Sequence, residues 1–211
     1  ALIQNVDSTY EIDIFKPILE KIKNISKKEN IRSQRIIVDH IKAATLIVMD
    51  GIEPGPSEQG YILRRLIRRA VRHGKLLGIE EAFTKEISLA VIEQFREIYP
   101  KLQSDSERIS TVIEKEELKF NQTIENALKE LDKLLEEEKD IDGYKAFQLY
   151  ETYGLPIEVT EEILKERGEE IKNKDDFYKA EKEHQEKSRT SSKGMFKGGL
   201  SDTSEMSTKY H

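Results

Sequence analysis

The stretch GYILRRLIRRAVRHGK at 60–75 holds Arg64, Arg65, Arg68, Arg69, Arg72, His73 and Lys75 and not one acidic residue. On a helix beginning near Tyr61, positions 62, 63, 66, 67, 70 and 71 form paired apolar columns, and 64, 65, 68, 69, 72 and 75 fall on the other side. Arginines four residues apart repel each other by a few tenths of a kcal/mol per pair, so local helix stability does not account for the pattern. The chemistry such a face offers is anion binding. A guanidinium stays charged and presents a planar fork of donors that engages a phosphate bidentately, as a nucleic-acid backbone requires. The competing reading is internal: the same cations could pair with acids of other helices, which are plentiful at 114–117 and 136–138. Charge alone leaves both open.

Other chemistries are thinly represented. The chain has no Cys, which removes disulfides, thiolate zinc sites and cysteine nucleophiles together and is compatible with the cytosol. His40 falls inside a helical pattern and reads as a satisfied, semi-buried residue, His184 reads as solvated in a charged helix, and His211 is the last residue. No Ser/His/Asp set, P-loop or Gly-rich dinucleotide fingerprint is visible, so no catalytic residue is assigned. The abundant carboxylates sit in mixed-charge runs and read as solvated faces. The longest apolar runs, such as AATLIVM at 43–49, fall far short of the roughly 20 residues of a membrane span. The N-terminus lacks the regions of a signal peptide and starts in mid-pattern, which suggests a piece of something longer.

The elements that must position these residues read as all-α, because apolar residues recur at helical spacing and no convincing strand alternation occurs. Ile14, Ile18 and Ile22 suggest a first helix. Ser33 is expected to cap a second, in which Ile37, Ile41, Ala44 and Val48 face a core. The loop DGIEPGPSEQG at 50–60 separates it from the arginine helix. A further helix is expected from Gly78 to Pro100 with Ile87, Val91, Phe95 and Ile98 inward. From Ser106 to Lys139 there is no Gly or Pro and the apolar stripe is sustained, which predicts one long central helix of about 50 Å at roughly 1.5 Å per residue. Its stripe drifts from a strict heptad, favouring a spine inside a helical domain over a coiled-coil scaffold. Asp142 is expected to cap a short helix that ends at a left-handed Gly154, with Pro156 as a stop, and another helix ends at Gly168. The organisation expected is a helical domain over 1–170, with 1–30 as its connection from what precedes, then a charged helix and irregular linker over 171–211.

Within this frame, RIIVDHIKAATLIVMDGIEPGPSEQGYILRRLIRRAVRHGKLLG at 35–78 closely resembles the tRNA-recognition region of the alanyl-tRNA synthetase family. FQLYETYGLPIEVTEEI at 147–163 is similar to that family's Leu-Tyr-Asp-Thr-Tyr-Gly-Phe-Pro segment, and NVDSTYEIDIF at 5–15 to the segment just after the last class II motif. GMFKGGLSDTSEMSTKYH at the end resembles the passage into the editing domain, whose zinc-binding His-x-x-x-His motif would start at His211. The resemblance implies a middle domain that holds the acceptor stem of tRNA(Ala) and reads a G·U wobble pair near its end. ATP, Mg2+ and alanine would be bound by class II motifs upstream, and Zn2+ by the editing domain. It further implies a cytoplasmic ligase with those two domains as partners, no membrane and no DNA. Arg64, Arg65, Arg68, Arg69, Arg72, His73 and Lys75 would hold the RNA backbone.

Two positions depart from the family pattern. The family usually has Pro-Ser-Asn before Arg-Gly-Tyr, and alignment on Asp50-Gly51 and Gly60-Tyr61 puts Pro56 at the base-reading Asn and Gln59 at the Arg. Ser57, Glu58 or Gln59 would then supply the reading if the loop is shifted. The second reader, an Asp in the family, is here Glu151, which can still accept from a guanine amino group. Two other function classes remain open on the residues alone: a helical DNA- or RNA-binding regulator using 61–75 as recognition helix, and a scaffold built on 106–139.

Overall fold

A computed structural model describes residues 1–195 apart from Ser57 and Lys139; the expectations placed on Ser57 and His211 therefore lie outside the described residues. The chain is all-α. A 3-10 turn at Thr9–Glu11 leads into α1 (Lys16–Ile25), α2 (Ile31–Met49), α3 (Glu58–Leu76), α4 (Thr84–Phe95), α5 (Pro100–Ser104), α6 (Ser106–Asn121), α7 (Ile124–Glu138), α8 (Gly143–Tyr153), α9 (Ile157–Glu166) and α10 (Asp175–Met195). The strand content among the described residues is a parallel pairing of β1 (Ile141–Asp142) with β2 (Ile171–Lys172), too short to leave a sequence signature.

The periodic apolar positions become core. Ile18, Ile22, Ile37, Ile41, Ala44 and Val48 are fully buried. Each large aliphatic side chain so buried contributes about 1.5–3 kcal/mol. The cap of α2 is Asn30, whose side chain accepts from Ser33 N at 2.9 Å. Ser33, expected as the cap, is instead buried inside the first turn, where its hydroxyl serves another helix. The helix after Gly78 stops at Phe95, a new turn starts at Pro100, and Ile98 between them is 60% exposed rather than inward. Asp142 caps α8 by accepting from Lys145 N at 2.9 Å, and Gly154 closes it with φ 69°, as the sequence predicts.

The long central helix is broken. Its apolar stripe passes through the break intact, with Ile109, Ile113, Phe120, Ile124 and Leu131 all buried, which is why periodicity reads it as continuous. Thr123 makes the interruption: its N–H donates to Phe120 O, its carbonyl accepts from Ala127 N to start α7, and its hydroxyl donates to Tyr153 O at 2.8 Å. A threonine hydroxyl that finds a backbone partner offers the chain an alternative to helix continuation.

The break divides the packing into two groups. Helices α1 to α6 pack among themselves, with α2 against α3 and α4 against α6, while α7, α9 and α10 gather around α8. Thus α10, assigned from sequence to a unit beyond residue 170, packs on α8, with Phe177 fully buried beside Phe147 and Tyr150.

Candidate nucleic-acid interface

Helix α3 buries Leu63, Ile67, Ala70 and Val71 in the first group and turns its cations toward the second. On one flank they meet α9, whose Glu158, Glu162 and Glu166 recur every four residues and so line one face. Arg65 Nη1 reaches Glu158 at 2.6 Å, Arg72 Nη2 reaches Glu166 at 2.8 Å, and Arg69 and Arg72 both lie near Glu162, at 3.5 and 3.7 Å. His73 Nε2 donates to Glu162 at 3.1 Å while its Nδ1 meets the Ser33 hydroxyl at 3.0 Å. Arg32 of α2 adds a contact to the same carboxylate at 2.7 Å. Burial alone would raise the Glu162 pKa, but hydrogen bonds and charge from His73 and Arg69 outweigh it and bring the group down to about 2.

On the other flank Arg68 is held on three sides. Its Nε donates to Glu116 at 2.6 Å, its Nη1 to Gly154 O at 2.6 Å, and its guanidinium lies 5.0 Å from the centre of the Phe120 ring. Arg64 lies 3.5 Å from the same Glu116, and Lys75 lies 3.9 Å from Glu125 of α7.

Solvent exposure sorts the predicted backbone-binding set. Arg68, Arg72 and His73 are 4%, 5% and 1% exposed, so they do not lie on an open cationic face as the sequence reading expects. The reason is the acid ladder of α9 and Glu116 of α6, which bring carboxylates to cations that burial would otherwise leave uncompensated. Arg64, Arg65, Arg69 and Lys75 keep between 28% and 36% of their side chains accessible. Glu116 falls within the acids singled out at 114–117. The α9 ladder was missed, although its four-residue spacing is visible in VTEEILKE and its neighbours.

His40 joins the same cluster from α2. Arg69 Nη1 lies 3.1 Å from His40 Nε2, and since a guanidinium only donates, that nitrogen accepts and the ring is neutral. Burial, then the charges of Arg69 and His73, hold its pKa down at about 4 against the pull of Asp39 and Glu162.

Between the two groups of helices lies a cleft of about 610 Å³. Arg64 and Arg68 of α3 and Lys119 of α6 form one wall, Tyr150 and Glu151 of α8 the other, and His184 of α10 borders it. Lys119 is exposed and, among the described residues, pairs with no carboxylate. Tyr150 stands edge-on to Tyr61 at 5.7 Å, and burial raises its pKa. Glu151 is half-exposed, and His184 Nδ1 lies 2.8 Å from its carboxylate. Glu181 also lines the cleft, and burial, helped by the charge of Glu158, raises its pKa.

The loop before α3 reaches this cleft through Pro56. It is pressed onto the helix start: Gly55 N donates to Gly60 O at 3.0 Å, and a Cβ at Gly60 would come within 2.8 Å of Glu53 O. Glu58 enters the helix with φ 52°. Glu58 and Gln59 are exposed on the first turn of α3 and do not line the cleft. The structure thus brings Pro56, Arg64 and Glu151 together and leaves Glu58 and Gln59 outside. Sequence reasoning missed Lys119, Tyr150, Glu181 and His184. No local signal marks them, since the cleft forms only when α8 and α10 fold back on α3 and α6.

The expectations of a recognition helix and of a scaffold both meet the packing. Much of the cationic face of α3 is turned to α9 and α6, and the stripe of 106–139 is inside the fold. Among the described residues no group of three or more His, Asp or Glu side chains is placed to hold a metal ion. None of the described helices is long and apolar enough to cross a membrane.

An all-α chain that turns a partly neutralised cationic helix toward a mixed polar and aromatic cleft is matched over residues 1–210 by the family model for class II (A) tRNA synthetases, and the chain belongs to that family. Among individual relatives it is 40% identical to the alanine–tRNA ligase of Thermotoga maritima over 195 residues, which cover 90% of the chain and 22% of that protein. It is 38% identical to the alanine–tRNA ligase of Treponema pallidum and 41% identical to that of Borrelia hermsii, in each case over 100% of the chain and 37% of the relative. The chain therefore spans between about a fifth and somewhat over a third of the length of these relatives.

Proposed function

We propose that this chain is the part of an alanine–tRNA ligase that binds and orients the acceptor stem of tRNA(Ala), in a cytoplasmic protein that joins alanine to that tRNA with ATP. The observation that carries the reading is the cleft, where exposed Lys119 and partly accessible Arg64 stand across from Glu151 and beside Tyr150. Cations on one wall suit phosphates, and an acceptor-only carboxylate on the other suits an exocyclic amino group in the wide, shallow minor groove of A-form RNA. Phosphate contact falls to the accessible cations Arg64, Arg65, Arg69, Lys75 and Lys119. Arg68, Arg72 and His73 brace the fold from within. Base reading falls to Glu151, with the Pro56 loop at the rim.

The catalytic and editing domains of the parent ligase are the intramolecular partners. The parent would use ATP and Mg2+ at the class II motifs of its catalytic domain and Zn2+ in its editing domain. His211 remains the proposed first ligand of an editing-domain zinc motif.

Competition at moderate salt between a tRNA(Ala) acceptor helix and a DNA duplex of equal length tests the reading. The acceptor helix should win, and duplex DNA binding as well or better would overturn it. The chain alone should give no ATP/pyrophosphate exchange with alanine.

A further inference from the structure

The last turn of α8 carries Glu151 and then exposes the carbonyls of Tyr153 and Gly154, which a helix end leaves without intrahelical partners. One is taken up by a side chain at the break between α6 and α7, the other by a side chain of α3. Thr123 Oγ1 donates to Tyr153 O at 2.8 Å, and Arg68 Nη1 donates to Gly154 O at 2.6 Å. Arg68 is itself fixed by Glu116 and the Phe120 face, so it is a rigid strut and not a swinging arm. The fit is close: Gly154 is left-handed at φ 69°, and a methyl group built there would overlap the guanidinium. The two donors therefore set where the end of α8 sits relative to α3 and α6, which form the opposite wall of the cleft.

We infer that Arg68 and Thr123 are positioning residues for acceptor-stem discrimination: they hold Glu151 at a fixed distance across the cleft from Arg64 and Lys119, and neither touches RNA. The inference rests on Glu151 being the base reader. It separates Arg68 from the arginines around it, since its loss should damage discrimination and leave the electrostatic grip alone. A misplacement of about 1 Å at a recognition group is enough to cost a large factor in rate.

The test uses the full-length ligase and compares kcat/KM for acceptor helices carrying G·U or G·C, together with the salt dependence of RNA binding. Arg68→Lys, which cannot bridge Glu116 and Gly154 O with one planar fork, should lower the G·U over G·C ratio by about tenfold. Thr123→Val should lower it several-fold, and Thr123→Ser, which keeps the hydroxyl, should restore it. The salt slope should stay at the parental value in all three. A preserved ratio in both Arg68→Lys and Thr123→Val, while Glu151→Ala abolishes discrimination, would overturn the positioning role alone. No effect of Glu151→Ala on the ratio would remove the reader, and the positioning inference with it. A flattened salt slope in Arg68→Gln, which removes the charge, would return that arginine to direct phosphate contact. If Arg68→Lys fails to fold, the Thr123 pair decides.

Discussion

On the flank of α3 that faces α9, Arg65, Arg69, Arg72 and His73 meet Glu158, Glu162 and Glu166; on the flank that faces the cleft, Arg64 shares Glu116 with Arg68, and Lys119 of α6 pairs with no carboxylate among the described residues. The same residue type, on the same helix, is buried against carboxylates at Arg68 and Arg72 and stays partly accessible at Arg64, Arg65 and Arg69. Arginine suits both tasks because its length spans a gap between helices and its fork reaches more than one acceptor. Burial decides which task a given arginine performs. A cation at 4 or 5% exposure cannot meet an RNA phosphate without moving, whereas one at 28% or more can.

The sharpest way to break this contrast is at Glu162, where Arg32, Arg69, Arg72 and His73 converge. Glu162→Ala leaves Arg72 and His73 buried without their shared acceptor, and removing one partner of a buried ionic cluster costs about 3–5 kcal/mol. Urea unfolding should report a loss of that size. A loss under about 1 kcal/mol, the value of an exposed pair, would mean the α3–α9 seam does not hold the two groups of helices together.

Acid should attack the same seam. His40 has its pKa held at about 4, below the ordinary value of 6.5, so the unfolded chain binds a proton that the folded chain refuses between those values. Stability from this group is complete above pH 6.5 and is lost as pH falls toward 4, by up to about 3 kcal/mol. Glu162, with its pKa lowered from 4.5 to about 2, adds a further loss that begins below pH 4.5 and ends near pH 2. Unfolding free energies measured between pH 7 and 4 should fall, and His40→Gln should flatten the upper part of the curve. An unchanged curve in that variant would place the acid sensitivity elsewhere.

The cleft flank should behave in the opposite sense. Arg64→Ala and Lys119→Ala should each reduce the slope of log affinity for RNA against log salt by about one, the share of one phosphate contact. The Lys119 variant should keep its stability within about 0.5 kcal/mol, as surface substitutions do. Lost stability with an unchanged slope at Lys119 would make the cleft wall structural and erase the distinction between the flanks.

How much of this could be read from the chain follows from which forces are local. Helix periodicity, the Asp142 cap and the Gly154 stop are written in neighbouring residues, so they were legible. So was the arginine stripe as a chemical oddity. What was not legible depends on pairs far apart in sequence. The partner of Arg69 is 93 residues away, and whether an arginine binds an internal carboxylate or an external phosphate is fixed by the fold that brings α9 to α3. The break at Thr123 was hidden for a related reason. Its cause is Tyr153 O, 30 residues downstream, while the apolar stripe on either side of the break stays in register.

Arg65 lies between the two behaviours and gives the smallest expected effect. Its Nη1 is 2.6 Å from Glu158, yet 36% of its side chain is accessible, and the pair sits at the rim of the α9 ladder. An ion pair in that position contributes about 0.2–1 kcal/mol, because solvent screens it and two long side chains lose freedom to form it. Arg65→Ala should therefore lower stability by no more than about 1 kcal/mol and reduce the RNA salt slope by less than the Arg64 variant does. Glu158→Gln is the informative companion: it frees Arg65 from its partner and should strengthen RNA binding slightly at low salt. If it weakens binding instead, Glu158 serves to aim the guanidinium at the backbone, and the rim of the seam belongs functionally to the cleft.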